Sequence, residues 1–382
     1  MFFQKKAITA AFALVLGVLT VACGQPKNAS AQASSTANTE QAAASVDTAN
    51  EDCPKPAVLV QSSTVVPVTK ANYSEAETQT VFAKYITDVA TATCTGGLGT
   101  ILNLQKAADP KDRTVIRINF DTLYSWLILD LTTPATFTLP QTNGRYQSAM
   151  VVNGQGYVYV EKEPGDYTLT EDKVGSRYAL VAFRTGVNIQ DPEDVSQAQA
   201  LQAKLSVTQS KTGEYVLPNQ WDLEQMMALR AAYNEERNEK GVKSESLFGR
   251  PGEVTPEQNN MGVAVGIGGL PKEGAVYLFY TPSSAEPQML TLKDVPNGDN
   301  AFWSLTVYDK DGFPVGENFN VNSAFAKSDA QGEVTLNFGS DKTQPNYLEI
   351  YPGWNATFRI YNPKPAYFDG SWVRPELQPA KD

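Results

Sequence analysis

Between residues 114 and 361 the apolar residues recur in short runs cut apart by Gly, Asn and Pro, and this spacing constrains the fold more than any other feature. Runs of that kind read as strands joined by turns. Val115–Ile118, Ser125–Leu131, Thr136–Leu139, Tyr146–Val152, Gly156–Val160, Tyr167–Leu169 and Arg177–Phe183 form a first series, with turns at Pro134, Gln141–Gly144 and Asn153–Gly154. From Met261 the pattern resumes in Ala275–Tyr280, Met289–Leu292, Phe302–Asp309, Glu333–Phe338, Leu348–Tyr351 and Ala356–Tyr361. The expected fold is mainly β: two tandem antiparallel β-sandwich domains, with an N-terminal helix and a short helical connector.

The helical signals are few. Asn72–Thr93 repeats Phe82, Tyr85, Ile86 and Val89 at helical spacing and is closed by Gly96-Gly97. Asp191-Pro192-Glu193-Asp194 offers a cap, a proline in the first turn and two acids at the positive end, followed by the stripe Val195, Ala198, Leu201 and Leu205. A third helix over Trp221–Glu239 would turn Leu223, Met226, Met227 and Leu229 inward. Residues 53–215 then form the N-terminal β domain, 216–260 the connector and 261–382 the C-terminal β domain.

The first residues read as an address. Lys5 and Lys6 precede an uncharged apolar run from Ala7 to Ala22, shorter than the roughly 20 residues that cross a bilayer, so residues 1–23 form a signal peptide. Val21-Ala22-Cys23-Gly24 resembles a bacterial lipobox, with Thr20 where leucine is usual, which predicts a membrane partner reached through a lipid on Cys23. Cleavage after Ala29-Ser30-Ala31 is the alternative, and would leave a soluble secreted or periplasmic protein. Residues 24–52 are Ala-, Ser-, Thr-, Gln- and Asn-rich without an aromatic, a composition that forms a disordered linker. Cys53 and Cys94 then remain, and an exported chain pairs them in a disulfide.

Composition excludes several functions. The chain has no histidine, which removes Ser-His-Asp and Cys-His chemistry and imidazole zinc sites. Formal net charge is −11, and −13 once Lys5 and Lys6 leave with residues 1–23, so nucleic acid is not an expected partner. No cofactor or metal is expected. Gly262–Gly269 lacks the Lys-Ser/Thr of a phosphate loop, and Asp309-Lys310-Asp311-Gly312 reads as a hairpin turn rather than a calcium loop.

Asn119-Phe120-Asp121-Thr122-Leu123-Tyr124-Ser125 resembles the signature of domain-of-unknown-function family 1254, and Asp130-Leu131, Gly144-Arg145-Tyr146 and Arg184-Thr185 resemble its further elements. Ala301-Phe302-Trp303-Ser304-Leu305-Thr306-Val307-Tyr308 resembles a strand of the companion family 1214, as do Gly353-Trp354-Asn355, Arg359-Ile360-Tyr361 and Asp369-Gly370-Ser371-Trp372. This chain departs from the pattern at Asn346-Tyr347-Leu348-Glu349 and at Asn320-Val321-Asn322-Ser323. The resemblance implies two tandem jelly-roll-like sandwiches and no established reaction.

The candidate ligand-binding residues are Asn119, Asp121, Tyr124, Arg145, Arg184, Trp303, Asn322, Trp354, Arg359 and Asp369. Asp121 reads as a ligand-binding or acid-base group oriented by Asn119, or else as a turn-forming residue. The arginines Arg145, Arg177, Arg184 and Arg359 read as clamps for an acidic ligand, or as partners of internal carboxylates such as Asp121, Asp130 and Asp369. The tryptophans stack on a sugar or fill a core. The expected function is a lipid-anchored binding or structural module of the cell envelope, with a glycan or other small molecule as its ligand. The alternative is a carboxylate-dependent hydrolase of glycans or amides, pairing Asp121 with Asp130 or Asp369.

Overall fold

The computed structural model describes residues 53–111 and 117–380. The predicted leader, Cys23 and the linker lie outside the described residues, as do Val115 and Ile116 of the first predicted strand. Arg117, meant to continue that strand, instead sits in a turn with φ of 52°.

The N-terminal part packs two sheets face to face. The larger has five strands in the spatial order Leu102–Asn103, Thr122–Asp130, Tyr178–Gly186, Gln147–Asn153 and Val158–Glu161. The smaller has three, Ser206–Gln209, Ala135–Leu139 and Gly165–Leu169. Leu127, Leu129, Val151, Val181 and Phe183 from the larger sheet meet Phe137 and Leu169 from the smaller in one core. Side chains alternate along a strand, so the neighbours Tyr124, Trp126, Ile128, Met150 and Arg184 project from the opposite face. That face is covered by helices and by the C-terminal part.

The C-terminal part is a second sandwich of two four-stranded sheets. One runs Ala275–Tyr280, Asn355–Tyr361, Trp303–Tyr308 and Asn320–Asn322; the other runs Tyr347–Leu348, Val334–Phe338, Gln288–Leu292 and Gln378–Pro379. Leu305, Val307, Phe358 and Ile360 face Leu290, Leu336 and Phe338 in its core. By alternation Ser304, Thr306, Tyr308, Asn320, Asn322, Arg359 and Tyr361 point away from that core. All seven are buried nonetheless, because this outer face meets the N-terminal part.

The described helices are α1 (Tyr73–Thr93), α2 (Glu171–Val174), α3 (Pro192–Gln202), α4 (Leu223–Lys240), α5 (Pro256–Val265) and α6 (Pro365–Phe368). Cys94, with φ of 53°, ends α1 ahead of the glycine pair and is joined to Cys53 by a disulfide. In α4 only Met226 and Tyr233 are buried, whereas Leu223 and Met227 are 41% and 46% exposed, against the inward stripe expected. The α4 surface is mostly solvated because only this narrow seam meets α1 and α5.

The Gly-rich stretch that begins at Met261 is not strand. Thr255 and Gln258 close a capping box, Pro256 enters the first turn, and α5 runs on through Gly262. A Cβ on Gly262 would lie 2.4 Å from the Leu247 carbonyl oxygen, so the glycine serves close packing within a helix. Two short parallel pairs also escaped the periodicity: Val58–Val60 with Tyr215–Leu217, and Val65–Val66 with Gln220–Trp221. They bind the segment after the disulfide to the strands preceding α4. No described helix is long and apolar enough to cross a membrane.

Candidate functional site

The site is built where Arg117–Asp121, a piece of the N-terminal half, lies on the outer face of the second sandwich. Arg359 Nη2 donates to the Arg117 carbonyl at 2.9 Å, and the Tyr308 hydroxyl donates to the Ile118 carbonyl at 2.8 Å. Phe120 packs edge-on against Phe319 with ring centroids 4.9 Å apart. Asn119 folds the segment locally: its Oδ1 accepts from the Asp121 amide at 3.0 Å, and its Nδ2 donates to Thr122 Oγ1 at 3.0 Å. Turn formation thus falls to Asn119, and this frees the Asp121 side chain to reach across.

Asp121 is 1% exposed. Its Oδ1 accepts from Asn320 Nδ2 at 3.2 Å and Asn322 Nδ2 at 3.0 Å. Ser304 approaches the carboxyl and favours its charge, and Oδ2 is fully buried. Burial raises the Asp121 pKa above the ordinary 3.8, against the opposing pull of Ser304, Asn322, Arg359 and Asn320.

Asp121 and Asn322 lie at the inner end of a cleft of about 690 Å³ between the two sandwiches. Its walls come from the Gln141–Tyr146 turn, the Gly186–Asn188 strand exit, α3, the Asn300–Phe302 loop and Ser323–Ala324. Arg145 holds the N-terminal wall together. It grips Asp194 with both terminal nitrogens, at 2.9 and 2.6 Å, and also donates to the Gly186 carbonyl at 2.8 Å and to Gln197 at 3.2 Å. The Arg145 contact keeps the Asp194 pKa low, with help from the Asn188 amide. Arg145 therefore clamps an internal carboxylate, and Lys204 is the exposed cation at the cleft wall.

Behind the Tyr146 wall the two inner faces meet in a set of rings. Tyr146, Phe302 and Tyr361 have centroids 4.3–5.3 Å apart. Arg359, 4% exposed, donates to Thr306 Oγ1 at 3.2 Å and to the Tyr308 hydroxyl at 2.8 Å. Burial works against its charge, but Tyr308, Tyr361 and Asp121 hold it firmly cationic. Arg184, also 4% exposed, lies with its guanidinium 5.5 Å from the Tyr124 ring centroid and donates to the Gly268 carbonyl.

Of the residues expected to bind ligand, Asp121 and Asn322 reach the cleft, and Arg145 lines it while engaged with Asp194. Asn119, Tyr124, Arg184 and Arg359 belong to the buried polar interface behind it. Trp303 and Trp354 do not belong to the site. Both are held in the core of the second sandwich, Trp303 beside Phe358 and Trp354 stacked on Phe338. Asp369 is an exposed turn residue whose Oδ1 accepts from the Ser371 amide at 2.8 Å. Asp130 is bonded by Arg177 at 2.9 and 2.8 Å. It ends the nine-residue strand that Asp121 precedes, which places it about 30 Å from Asp121 at 3.3 Å per residue. Neither carboxylate expected to pair with Asp121 does so. Asp194, Asn320, Ser304 and Tyr146 are not among the expected site residues; Ser304 and Tyr146 lie inside the quoted motifs, and Asn320 in a segment quoted as a departure from them.

A two-sandwich β protein with a buried polar interface, opening into one cleft, is the class that this fold and site define. Residues 98–209 match the family model described as a protein of unknown function (DUF1254), and residues 284–365 match that of a second one (DUF1214). The resemblance carried by the motifs is thus shown on both halves, in the order read from the sequence. No curated protein matches the chain. Among solved structures, the chain is similar to the VPA0106 protein from Vibrio parahaemolyticus at 15% identity and a TM-score of 0.57, over 82% of this chain and 100% of that one. An uncharacterized protein from Burkholderia cenocepacia gives 12% identity and a TM-score of 0.45, over 81% and 88%. The first of these likenesses is one of fold.

Proposed function

We propose that this is an exported envelope protein, lipid-anchored through Cys23, which binds a small hydroxyl-rich ligand such as a glycan fragment in the cleft between its sandwiches. One observation carries the binding reading: the Asp121 carboxylate and the Asn322 amide that donates to it stand together on the lining of an open cleft. Asn322, Asn143 and Gln141 supply further amide groups along the walls. The anchor rests on the sequence of residues 1–23.

Calorimetric titration of a panel of mono- and disaccharides tests the cleft. Binding by the native chain should weaken about tenfold in Asp121→Asn, the equivalent of one lost hydrogen bond. Silence across the panel, or equal binding by both proteins, would remove the reading. Mass spectrometry of the mature N-terminus tests the anchor: a diacylglyceryl group on Cys23 is expected, and a free Gln32 terminus would refute it.

A hydrolase remains the second reading because of one feature. Asp121, its pKa raised, and Asp194, its pKa lowered, line the same cleft, the pattern of an acid and a carboxylate base. Release of reducing ends from a peptidoglycan or polysaccharide digest, abolished in Asp121→Asn and in Asp194→Asn, would establish it. No release by the native chain would dismiss it.

A further inference from the structure

Apolar residues left on the outside of this protein gather beside the point where the chain enters its folded body. Among the described residues eleven large apolar side chains are exposed. Five of them, Leu59, Val60, Val65, Leu223 and Met227, fall in two short stretches that pack together. Val60 pairs with Leu217 and Val65 with Gln220, so residues 58–66 and 215–221 run side by side as two short parallel pairs in series. The Asp222 amide donates to the Val66 carbonyl at 3.0 Å, and α4 starts at the next residue. Leu223 and Met227 stand one turn apart on that helix, with exposed Ala231 a turn beyond. The helix thus turns to solvent two side chains that its sequence would send inward, next to the exposed edge of the paired strands.

These strands are also bare of charge. Residues 56–69 and 215–221 hold no Asp, Glu, Lys or Arg, although 19% of the chain is charged. Charges stand only at the margins: Lys55 and Lys70 flank one stretch, Glu214, Asp222 and Glu224 the other. They nearly cancel, so this face escapes the repulsion that a net charge of −11 creates elsewhere. Exposed apolar side chains grouped in this way mark a contact surface. Where the face lies identifies what it meets. Cys53 is bridged to Cys94, and the Ala57 amide donates to the Gly96 carbonyl at 2.8 Å, so the first paired strand begins at the entry point of the chain. Residues 24–52 alone separate Cys23 from Cys53, which keeps Cys53 within about 100 Å of a lipid on Cys23. At so short a range the membrane is present at high effective concentration, and a weak apolar contact with it is populated.

We propose that this face, residues 59–65 with the Leu223–Met227 turn of α4, rests on the lipid surface that holds the anchor, with its apolar side chains at the boundary of headgroups and acyl chains. The proposal takes the place of the membrane from the anchored reading. It is independent of the cleft, since none of these residues lines it.

The probe is a phosphatidylcholine vesicle. The chain from residue 24 onward carries no lipid and keeps the whole compact unit of residues 44–382. It should float with vesicles at about 10 mM lipid, a range that covers millimolar dissociation constants. Leu59→Ser with Val60→Ser, and Leu223→Ser with Met227→Ser, should each weaken the partition at least about fivefold, the effect of withdrawing two large apolar side chains from the contact. All four side chains are exposed, so both variants should keep the native circular dichroism spectrum. Phe368→Ser, exposed in the C-terminal part, should float as the native chain does. Absence of flotation overturns the proposal, as does an unchanged partition in either double variant or an equal loss in Phe368→Ser. Sedimentation that shows a dimer lost in the double variants would give the face to a second copy and overturn it too. The anchor is judged separately by the mass of the mature N-terminus. Flotation without a lipid on Cys23 keeps this face and removes the anchor; a lipid on Cys23 without flotation keeps the anchor and removes this face.

Discussion

Placing Asp121 beneath a second sandwich favours its neutral form, and this gives the protein a pH signature. The folded-state pKa lies above the ordinary 3.8, so across the window above 3.8 the folded state binds more protons than the unfolded one. Stability from this group is therefore lost as pH rises through that window. Asp121→Asn removes the titration and keeps the shape. The melting temperature of the Asn variant, relative to native protein, should climb as pH rises above about 4. A difference that stays constant with pH would show that Asp121 is not held this way. The importance of Asp121 was legible, because it stands in a run of polar groups at a strand start. Its partners were not: Asn320 and Asn322 lie 199 and 201 residues away, and no local pattern links them. Asn322 also occupies one of the two places where the chain departs from the family pattern, so the departure falls on the site itself.

At the scale of elements, the legible features were those with local causes. The Asp191-Pro192 start of α3 appears as read, with the Asp191 side chain accepting from the Glu193 amide at 2.9 Å. Most long strands fall within a few residues of their expected spans because alternation is a local property. The α5 helix was missed although Thr255-Pro256-Glu257-Gln258 spells a helix start, since the glycines that follow argue for a loop when packing is unseen. Its Gly262 yields a prediction. An added methyl would press on the Leu247 backbone at 2.4 Å, and backbone yields poorly. Gly262→Ala should destabilise by about 1–3 kcal/mol in denaturant unfolding, as overpacking does. A loss below about 0.5 kcal/mol, the usual range of surface changes, would mean that α5 does not seat on the Leu247 turn as described. The two-residue parallel pair at Val65–Val66 was beyond reach, because so short a strand has no period to detect.

For the whole molecule, alternation predicted two sandwiches but not which of their faces would meet. The meeting faces are polar, rich in Asn, Ser, Thr, Tyr and Arg, and such residues read as solvent-facing in a strand taken alone. The disulfide was legible from cysteine count and compartment. It closes a separation of 41 residues, for which the chain-entropy model gives about 4 kcal/mol. Reduction, or Cys53→Ser with Cys94→Ser, should lower unfolding free energy by up to about that amount. No change in the denaturation midpoint would mean that the unfolded chain gains nothing from the cut. The same bridge decides how the protein carries a mechanical load. Tension applied to the backbone ahead of Cys53 passes through a covalent link into the end of α1, so the Val58–Val60 pairing is bypassed until that link breaks. With the cysteines reduced, the pull falls first on the backbone bonds joining Val58–Val60 to Tyr215–Leu217, and the molecule would begin to peel from that corner.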